Sequence, residues 1–270
     1  MPAGRVSGLV FQVDWVAGFY SRTGAWWGKA EARITERDHR RVSLVHEHAG
    51  VQPKRVLELG SGYGTTAAAM ARAGHSVTAV DISDRVNWAA EFAKDAGPGT
   101  LTVLRDDFYT VRLEGQFDVV CYWNGFGVGS DADQRRLLGR LATHWLRPGG
   151  VALIDVFNPF VWARWDGDRE HRLRNPEQGY EYELFEQTVF DPVTCTAIDT
   201  WWEAGNPDDK ISQVLRCYSP ADLELLLAGT GLHLTAITVG DRTVPPTPQP
   251  GWSRLLREHH EYLAVLHREP

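Results

Sequence analysis

The sequence of 270 residues predicts an α/β fold: a parallel sheet with helices on both faces, carrying a smaller antiparallel sheet as an insertion after its fifth strand. Three observations carry that expectation. Residues 56–66, VLELGSGYGTT, form an apolar run holding Glu58, then glycines at alternate positions (Gly60, Gly62, Gly64), and an Ala-rich helical stretch follows at once. Strand and helix patterns then alternate through five strands as far as Phe157, the signature of a parallel sheet with right-handed crossovers. Beyond that point residues 179–190, 194–203 and 211–218 alternate apolar and polar side chains, punctuated by Asp191-Pro192 and Gly205-Asn206-Pro207, which predicts antiparallel strands.

Taken in order, residues 10–27 form an aromatic lead-in with Phe11, Trp15, Phe19, Tyr20, Trp26 and Trp27. One helix is expected over 29–48, with Ala30, Ile34, Val42 and Val45 on its inner face and Gly50 and Pro53 closing it. The first strand, 55–59, enters the glycine turn, and the helix after it ends at Gly74. A second strand over 76–80 ends at Asp81, and Ser83-Asp84 cap a helix running through Ala96. The third strand, 101–104, ends near Asp106 and Asp107; the fourth, 117–122, is broken by Trp123-Asn124-Gly125. Ser130 and Asp133 make a capping box for a helix to Leu146, whose stripe is Leu137, Leu138, Leu141, Ala142 and Trp145. The fifth strand is 151–157, after a turn at 147–150. Past the insertion, Ser219-Pro220 open a helix that stops at Gly229 and Gly231, followed by a strand over 232–239, a proline-rich link over 244–250 and a last strand over 261–268. The expected organisation is a lead-in and cap helix (1–50), a core (51–158 with 219–270) and an inserted sheet (159–218) positioned to roof the site and to pair two copies in a homodimer.

Composition narrows the function classes. The net charge of −7 argues against a nucleic-acid partner, because neutralising phosphates needs a basic face. The one basic run, 36–41, reads as a solvated helix face. No apolar run approaches the roughly 18 residues of a membrane span, and the N-terminal residues lack a signal-peptide pattern. Cys121, Cys195 and Cys217 are isolated, which points to a reducing, cytoplasmic setting and to neither a disulfide framework nor a zinc site. Eleven tryptophans are more than a core requires and point to aromatic pocket walls.

A strand, a glycine turn and a helix in that order form a nucleotide-sized site at a strand end. The spacing G-x-G-x-G differs from the dinucleotide pattern, and Glu58 just before it would repel a pyrophosphate while suiting a cationic amine.

These segments together resemble the class I S-adenosylmethionine-dependent methyltransferases, and the likeness covers most of the chain. VLELGSGYG is similar to the family's first motif, AVDIS to its second strand and acid, RDDF to its adenine-contacting turn, FDVVCYWNG and LRPGGVALIDVFNP to its fourth and fifth strands, and RCYSPADLELLLAGTGL and EYLAVLHREP to its closing segments. The aromatic lead-in and the inserted sheet look most like the glycine and amino-sugar N-methyltransferase branch. The resemblance implies a Rossmann-like seven-stranded sheet and S-adenosylmethionine as cofactor, with S-adenosylhomocysteine as product. It implies cofactor contacts from Glu58, Gly60, Ser61, Gly62, Asp81, Ile82, Asp107, Phe108 and Tyr122, with Asp106 a rival to Asp107. For the methionine end it implies Tyr20, Trp27 and Arg37, with Trp26 and Arg33 as the competing register.

Methyl transfer from a sulfonium is an in-line displacement in which positioning supplies much of the acceleration. An amine nucleophile must be neutral, so a proton acceptor is sought nearby; Tyr20 and, second, His171 are the candidates. Trp123, Asn124, Asn158 and Trp162 are candidate contacts for a small-molecule acceptor. No Asp-Pro-Pro-Tyr-like motif follows the fourth strand, which argues against nucleobase amines, and no metal-ligand cluster is visible. Nitrogen is the expected acceptor atom, then oxygen. C-methylation of an alkene or aromatic ring, a non-catalytic cofactor-binding protein and an NAD-dependent oxidoreductase are the competing readings.

Overall fold

The computed structural model describes residues 15–248 and 251–268. Phe11, the rest of residues 10–14 of the lead-in, the end of the proline-rich link and the final Glu269-Pro270 lie outside the described residues.

Where one helix was expected over 29–48, two form: α1 (Trp15–Glu31) and α2 (Glu36–Ala49). The break has a local cause. Thr35 takes extended angles (φ −126°, ψ 175°), and its backbone N–H donates to Asp38 Oδ2 at 2.8 Å, so T-x-x-D starts a new helix. The core follows as β1 (Arg55–Leu59), α3 (Thr65–Arg72), β2 (Ser76–Asp81), α4 (Val86–Ala93), β3 (Thr100–Arg105), β4 (Phe117–Phe126), α5 (Asp131–Arg140) and β5 (Leu146–Phe157), with a π-helical turn over Leu141–Trp145 between the last two. The expected capping box at Ser130 forms, Asp133 N–H donating to its hydroxyl at 3.2 Å. β4 outruns its expected end and carries Asn124 at a positive φ of 52°.

The insertion comprises α6 (Pro159–Trp162), β6 (Arg169–Arg172), β7 (Leu184–Asp191), β8 (Thr196–Glu203) and β9 (Ile211–Arg216), and it forms a separate antiparallel sheet in the order β6-β7-β8-β9. β6, reading REHR, has no apolar alternation and was invisible as a strand; residues 179–183, expected to be extended, form no strand, Tyr180 making only an isolated bridge with Asn175. The chain returns through α7 (Pro220–Leu227), β10 (Leu232–Val239), the short β11 (Arg242–Val244), α8 (Trp252–Glu258) and β12 (Glu261–Arg268). β11 makes the main sheet eight-stranded rather than seven-stranded, in the order β11-β10-β12-β5-β4-β1-β2-β3. Strands β3, β2, β1, β4 and β5 are parallel, and β12 runs antiparallel to β5.

Each face of that sheet buries its own apolar layer. Leu137, Leu141 and Trp145 pack on Leu57 and Val120 from one side, and Val45, Ala68 and Met70 pack on Val56 and Val119 from the other. The inserted sheet is joined to α1 by Phe19, Trp26, Leu184 and Trp201. That packing sets α1 and the inserted sheet above the carboxyl ends of β1 and β4, where the strand order reverses and open α/β sheets bind ligands. Among the described residues no helix is long and apolar enough to cross a membrane.

Candidate active site

A cavity of about 410 Å³ opens at that point. Its floor is the glycine turn. Gly60 and Gly62 both have positive φ (58° and 55°), a region costly for residues with a Cβ. A Cβ on Gly60 would also meet the Tyr122 ring at 3.0 Å, whereas one on Gly62 would find nothing nearer than Arg85 at 3.9 Å, so the turn presents open backbone to the cavity.

Asp81 organises the turn: Oδ2 accepts from the Gly62 N–H at 2.7 Å, and Oδ1 accepts from the Ser83 N–H at 2.8 Å and from the Ser83 hydroxyl at 2.5 Å. It also lines the cavity, beside Ile82. Glu58 is buried, and its Oε2 has no donor among the described residues; nor does the buried Ser61 hydroxyl have a partner. Burial pushes the Glu58 carboxyl up to about 8, against the pull of Arg41 and with the help of Asp38 and Asp81. An orphaned, dry carboxyl of this kind gains most from a cationic donor entering the cavity.

Three arginines stand around this floor, and their commitments differ. Arg41 donates to Asp155 Oδ2 at 3.0 Å and to Thr66 Oγ1 at 3.2 Å, and lies over the Trp123 ring at 4.9 Å. Arg85 donates to the Tyr20 carbonyl at 3.0 Å and to Thr23 Oγ1 at 2.7 Å and lies 4.7 Å from the Tyr63 ring centre. Arg37 lines the cavity with no hydrogen-bond partner among the described residues; desolvation by the surrounding protein and then Arg41 lower its pKa.

Residues 32–237 match the family model described as "Methyltransferase domain". The chain belongs to that methyltransferase family. Its fold is that of the class I, S-adenosylmethionine-dependent enzymes. It is 31% identical over 128 residues to the cypemycin N-terminal methyltransferase of a Streptomyces species, covering 47% of this chain and 51% of that protein. It is 28% identical over 148 residues to the ubiquinone biosynthesis O-methyltransferase of Pseudomonas aeruginosa strain LESB58, covering 53% of this chain and 62% of that protein. The chain thus matches between half and two thirds of the length of these curated relatives. Among solved structures, the CcbJ methyltransferase of Streptomyces caelestis superposes with a TM-score of 0.70 at 21% identity, covering 95% of this chain and 97% of that one.

The cavity brings together Tyr20, Trp27, Arg37, Glu58, Gly60, Ser61, Gly62, Asp81, Ile82, Phe108, Tyr122, Trp123 and Asn124. Of the rival registers, Trp26 is turned into the core with its indole N–H on Glu203 Oε1 at 2.8 Å, and Trp27 faces the cavity. Arg33 and Arg37 both reach it.

Four expected contacts fall elsewhere. Asp107 is not on the cavity wall: its Oδ1 accepts from the Tyr109 N–H at 2.8 Å and holds the local turn, and Asp106 does not line the wall either. Asn158 is fully buried as the cap of α6, accepting from the Phe160 N–H at 3.1 Å and donating to the carbonyls of His259, at 2.8 Å, and Leu256. Trp162 packs in the core against Phe157 and Trp165. His171 stacks on Phe185 with ring centres 4.3 Å apart and pairs with Glu183 at 2.7 Å on the outer face of β6. Its neighbour Arg172 reaches the cavity instead, because successive strand side chains point to opposite faces.

Sequence reasoning missed the mouth. Glu31, Arg172, Leu173, Tyr180 and Tyr182 line it, and the Tyr180 hydroxyl donates to Glu31 Oε1 at 2.7 Å across 149 residues of chain. Asp38 was also missed; it accepts from the hydroxyls of Thr65 (2.8 Å) and Thr66 (2.7 Å), tying α2 to the start of α3.

Proposed function

We propose that this chain transfers the methyl group of S-adenosylmethionine to a small-molecule acceptor, at nitrogen first and oxygen second. The observation that carries the reading is the convergence, in one cavity, of an orphaned Glu58, a ribose-sized strand-end acid in Asp81 and an uncommitted Arg37. In this reading Glu58 receives the cofactor's ammonium, Arg37 its carboxylate, Asp81 the ribose, and Ile82 and Phe108 the adenine faces. The cofactor supplies an activated methyl on a sulfonium; the chain supplies placement and dryness. Phe108 and Tyr122, whose ring centres lie 5.3 Å apart, close one side against water.

The acceptor enters past Trp27, Leu173, Tyr180 and Tyr182, with Glu31 at the rim, a lining that suits an amine on a partly apolar body. The curated relative with 31% identity is named for methylation at an N-terminus, where an amine is on offer, and the one with 28% identity is named an O-methyltransferase, which supports nitrogen and oxygen as the two choices. The insertion supplies four of the mouth residues, Arg172 from β6 and the others from the β6–β7 connection, consistent with its acting as a roof, and we extend to it the pairing of two copies; light scattering on a deletion of 159–218 tests that extension.

The test has two stages. Calorimetry with S-adenosylmethionine and S-adenosylhomocysteine is expected to give binding in the micromolar range, and no binding at high micromolar concentration overturns the reading. Release of S-adenosylhomocysteine is then followed over a panel of primary and secondary amines, phenols and activated carbon acids. Turnover confined to carbon acceptors favours C-methylation, which the aromatic mouth could serve by sheltering positive charge.

A further inference from the structure

We propose that Gln213 and Asp199, outside the cavity on the inserted sheet, are positioning residues that hold the Tyr20 hydroxyl as a hydrogen-bond acceptor toward the cavity. The inference rests on the reading of this cavity as the methyl-transfer site.

The geometry starts on β8 and β9. Asp199 and Gln213 are directly opposed in the antiparallel register, so their side chains share one face of the sheet. Trp201, two residues on from Asp199, shares that face. Asp199 is buried on the same face as Glu186, the residue opposite Trp201; burial and then Asp199 raise the Glu186 carboxyl to about 8, so Glu186 is the protonated partner and Asp199 needs donors. Its Oδ2 has two: the Trp201 indole N–H at 2.7 Å and the Gln213 amide N–H at 2.7 Å. An indole can only donate, and an ionised carboxylate can only accept.

That chemistry fixes which way the Gln213 amide points. Turned over, it would set its carbonyl oxygen against the Asp199 carboxylate. With its NH₂ on Asp199, the Gln213 Oε1 lies 3.2 Å from the Tyr20 hydroxyl. A carbonyl oxygen has no proton to give, so the tyrosine must donate. A phenol has one proton and two lone pairs. The proton is spent on Gln213, and only lone pairs are left for the cavity that Tyr20 lines. The hydroxyl is therefore set to receive an N–H or O–H of an acceptor, or a polarised C–H of a sulfonium methyl. It orients; it does not act as the base.

The hold is broken by removing the oxygen on which both donors meet. Asp199→Leu takes away the acceptor of the Trp201 and Gln213 N–H groups. The Gln213 amide is then free to turn over, its NH₂ donating to Tyr20, and the tyrosine proton swings to the cavity. The measurements are steady-state kinetics of wild type, Asp199→Leu, Tyr20→Phe and the double variant. Beside them, a ¹³Cζ-tyrosine label at position 20 reads the hydroxyl's hydrogen bonding in the free protein, and calorimetry follows S-adenosylhomocysteine binding.

Expected are at least a tenfold fall in kcat for Asp199→Leu, a donor-product affinity within threefold of wild type, a changed label shift, and no further loss when Asp199→Leu is added to Tyr20→Phe. A full additional loss in the double variant would mean that Asp199 acts through packing alone and overturns the proposal. An unchanged label shift overturns it too. If no acceptor is turned over by the wild type, the methyl-transfer reading fails, while the label shift in the free protein still decides the hydroxyl's polarity. Gln213→Leu, which removes the bridging amide from the same face, is expected to change the label shift as well, and guards against failure of Asp199→Leu to fold.

Discussion

The floor and the roof of the cavity are built in opposite ways. The floor comes from residues near one another in sequence: Gly60, Ser61, Gly62, Asp81 and Ile82 leave adjacent parallel strands, and backbone-to-carboxylate bonds hold them together. The roof comes from distant segments meeting through side chains, such as Tyr20 with Gln213 across 193 residues and Arg22 with Asp209 across 187. In the proposed reading the floor receives the methyl donor and the roof receives the acceptor, and the contrast in how they are built says where to test each. Substitutions in the floor should abolish binding of the methyl donor, and substitutions in the roof should change turnover or acceptor choice while leaving donor affinity intact.

The largest expected effect is in the floor. Asp81→Ala removes a carboxylate that would take two ribose hydroxyls, at about 1.5–3 kcal/mol each, so the Kd for S-adenosylhomocysteine should rise at least 100-fold by calorimetry. A change under tenfold would break the comparison at its strongest point.

Next comes pH. Burial raises Glu58 to about 8, above the ordinary glutamate range, so the folded protein binds this proton more tightly than the unfolded chain does. The resulting stabilisation is complete below about pH 4.3, the ordinary glutamate pKa, and is lost as pH climbs through about 8. Denaturation of the ligand-free protein should therefore show stability falling between pH 5 and 9 by on the order of a few kcal/mol. Glu58→Gln should flatten that slope. Calorimetry in buffers of different ionisation enthalpy should also detect proton release when the donor binds below pH 8.

Gly60→Ala tests the turn itself. Positive φ costs a residue with a Cβ about 1–2 kcal/mol, and the 3.0 Å approach to Tyr122 adds to it, so Tm should drop by several degrees. In the roof, Tyr180→Phe removes the bond to Glu31; a severalfold rise in the KM for the acceptor is expected, with donor Kd unchanged. The smallest effect belongs to His171→Ala. A half-exposed pair with Glu183 contributes about 0–1 kcal/mol, and kcat should stay within twofold.

Local rules wrote the floor into the sequence. An apolar run, glycines at positive φ and an acid at the next strand end depend on chain direction over a few residues, and so do the capping boxes at Ser130 and Ser219. The T-x-x-D pattern at Thr35 was equally local, and it accounts for the break that a single long helix overlooked. β6 was not legible, because four polar residues on an exposed edge carry no period. The alternation of strands and helices, the order of the motifs and the class of the fold were determined by the sequence alone.

Tertiary structure decided what local rules leave degenerate. Trp26 and Trp27 are adjacent aromatics on one helix, and only the angle at which α1 lies on the inserted sheet sends one into the core and the other to the cavity. Asn158 and His171 had suitable chemistry at suitable positions in the chain. Asn158 was spent on capping a helix, and His171 was turned outward by the two-residue period of its strand. The polarity of Tyr20 depends on a carboxylate 179 residues away, which no periodicity encodes. The physical reason is common to all three. Backbone hydrogen bonds fix where a strand ends, whereas the packing of one sheet against another helix fixes which side chains meet above it.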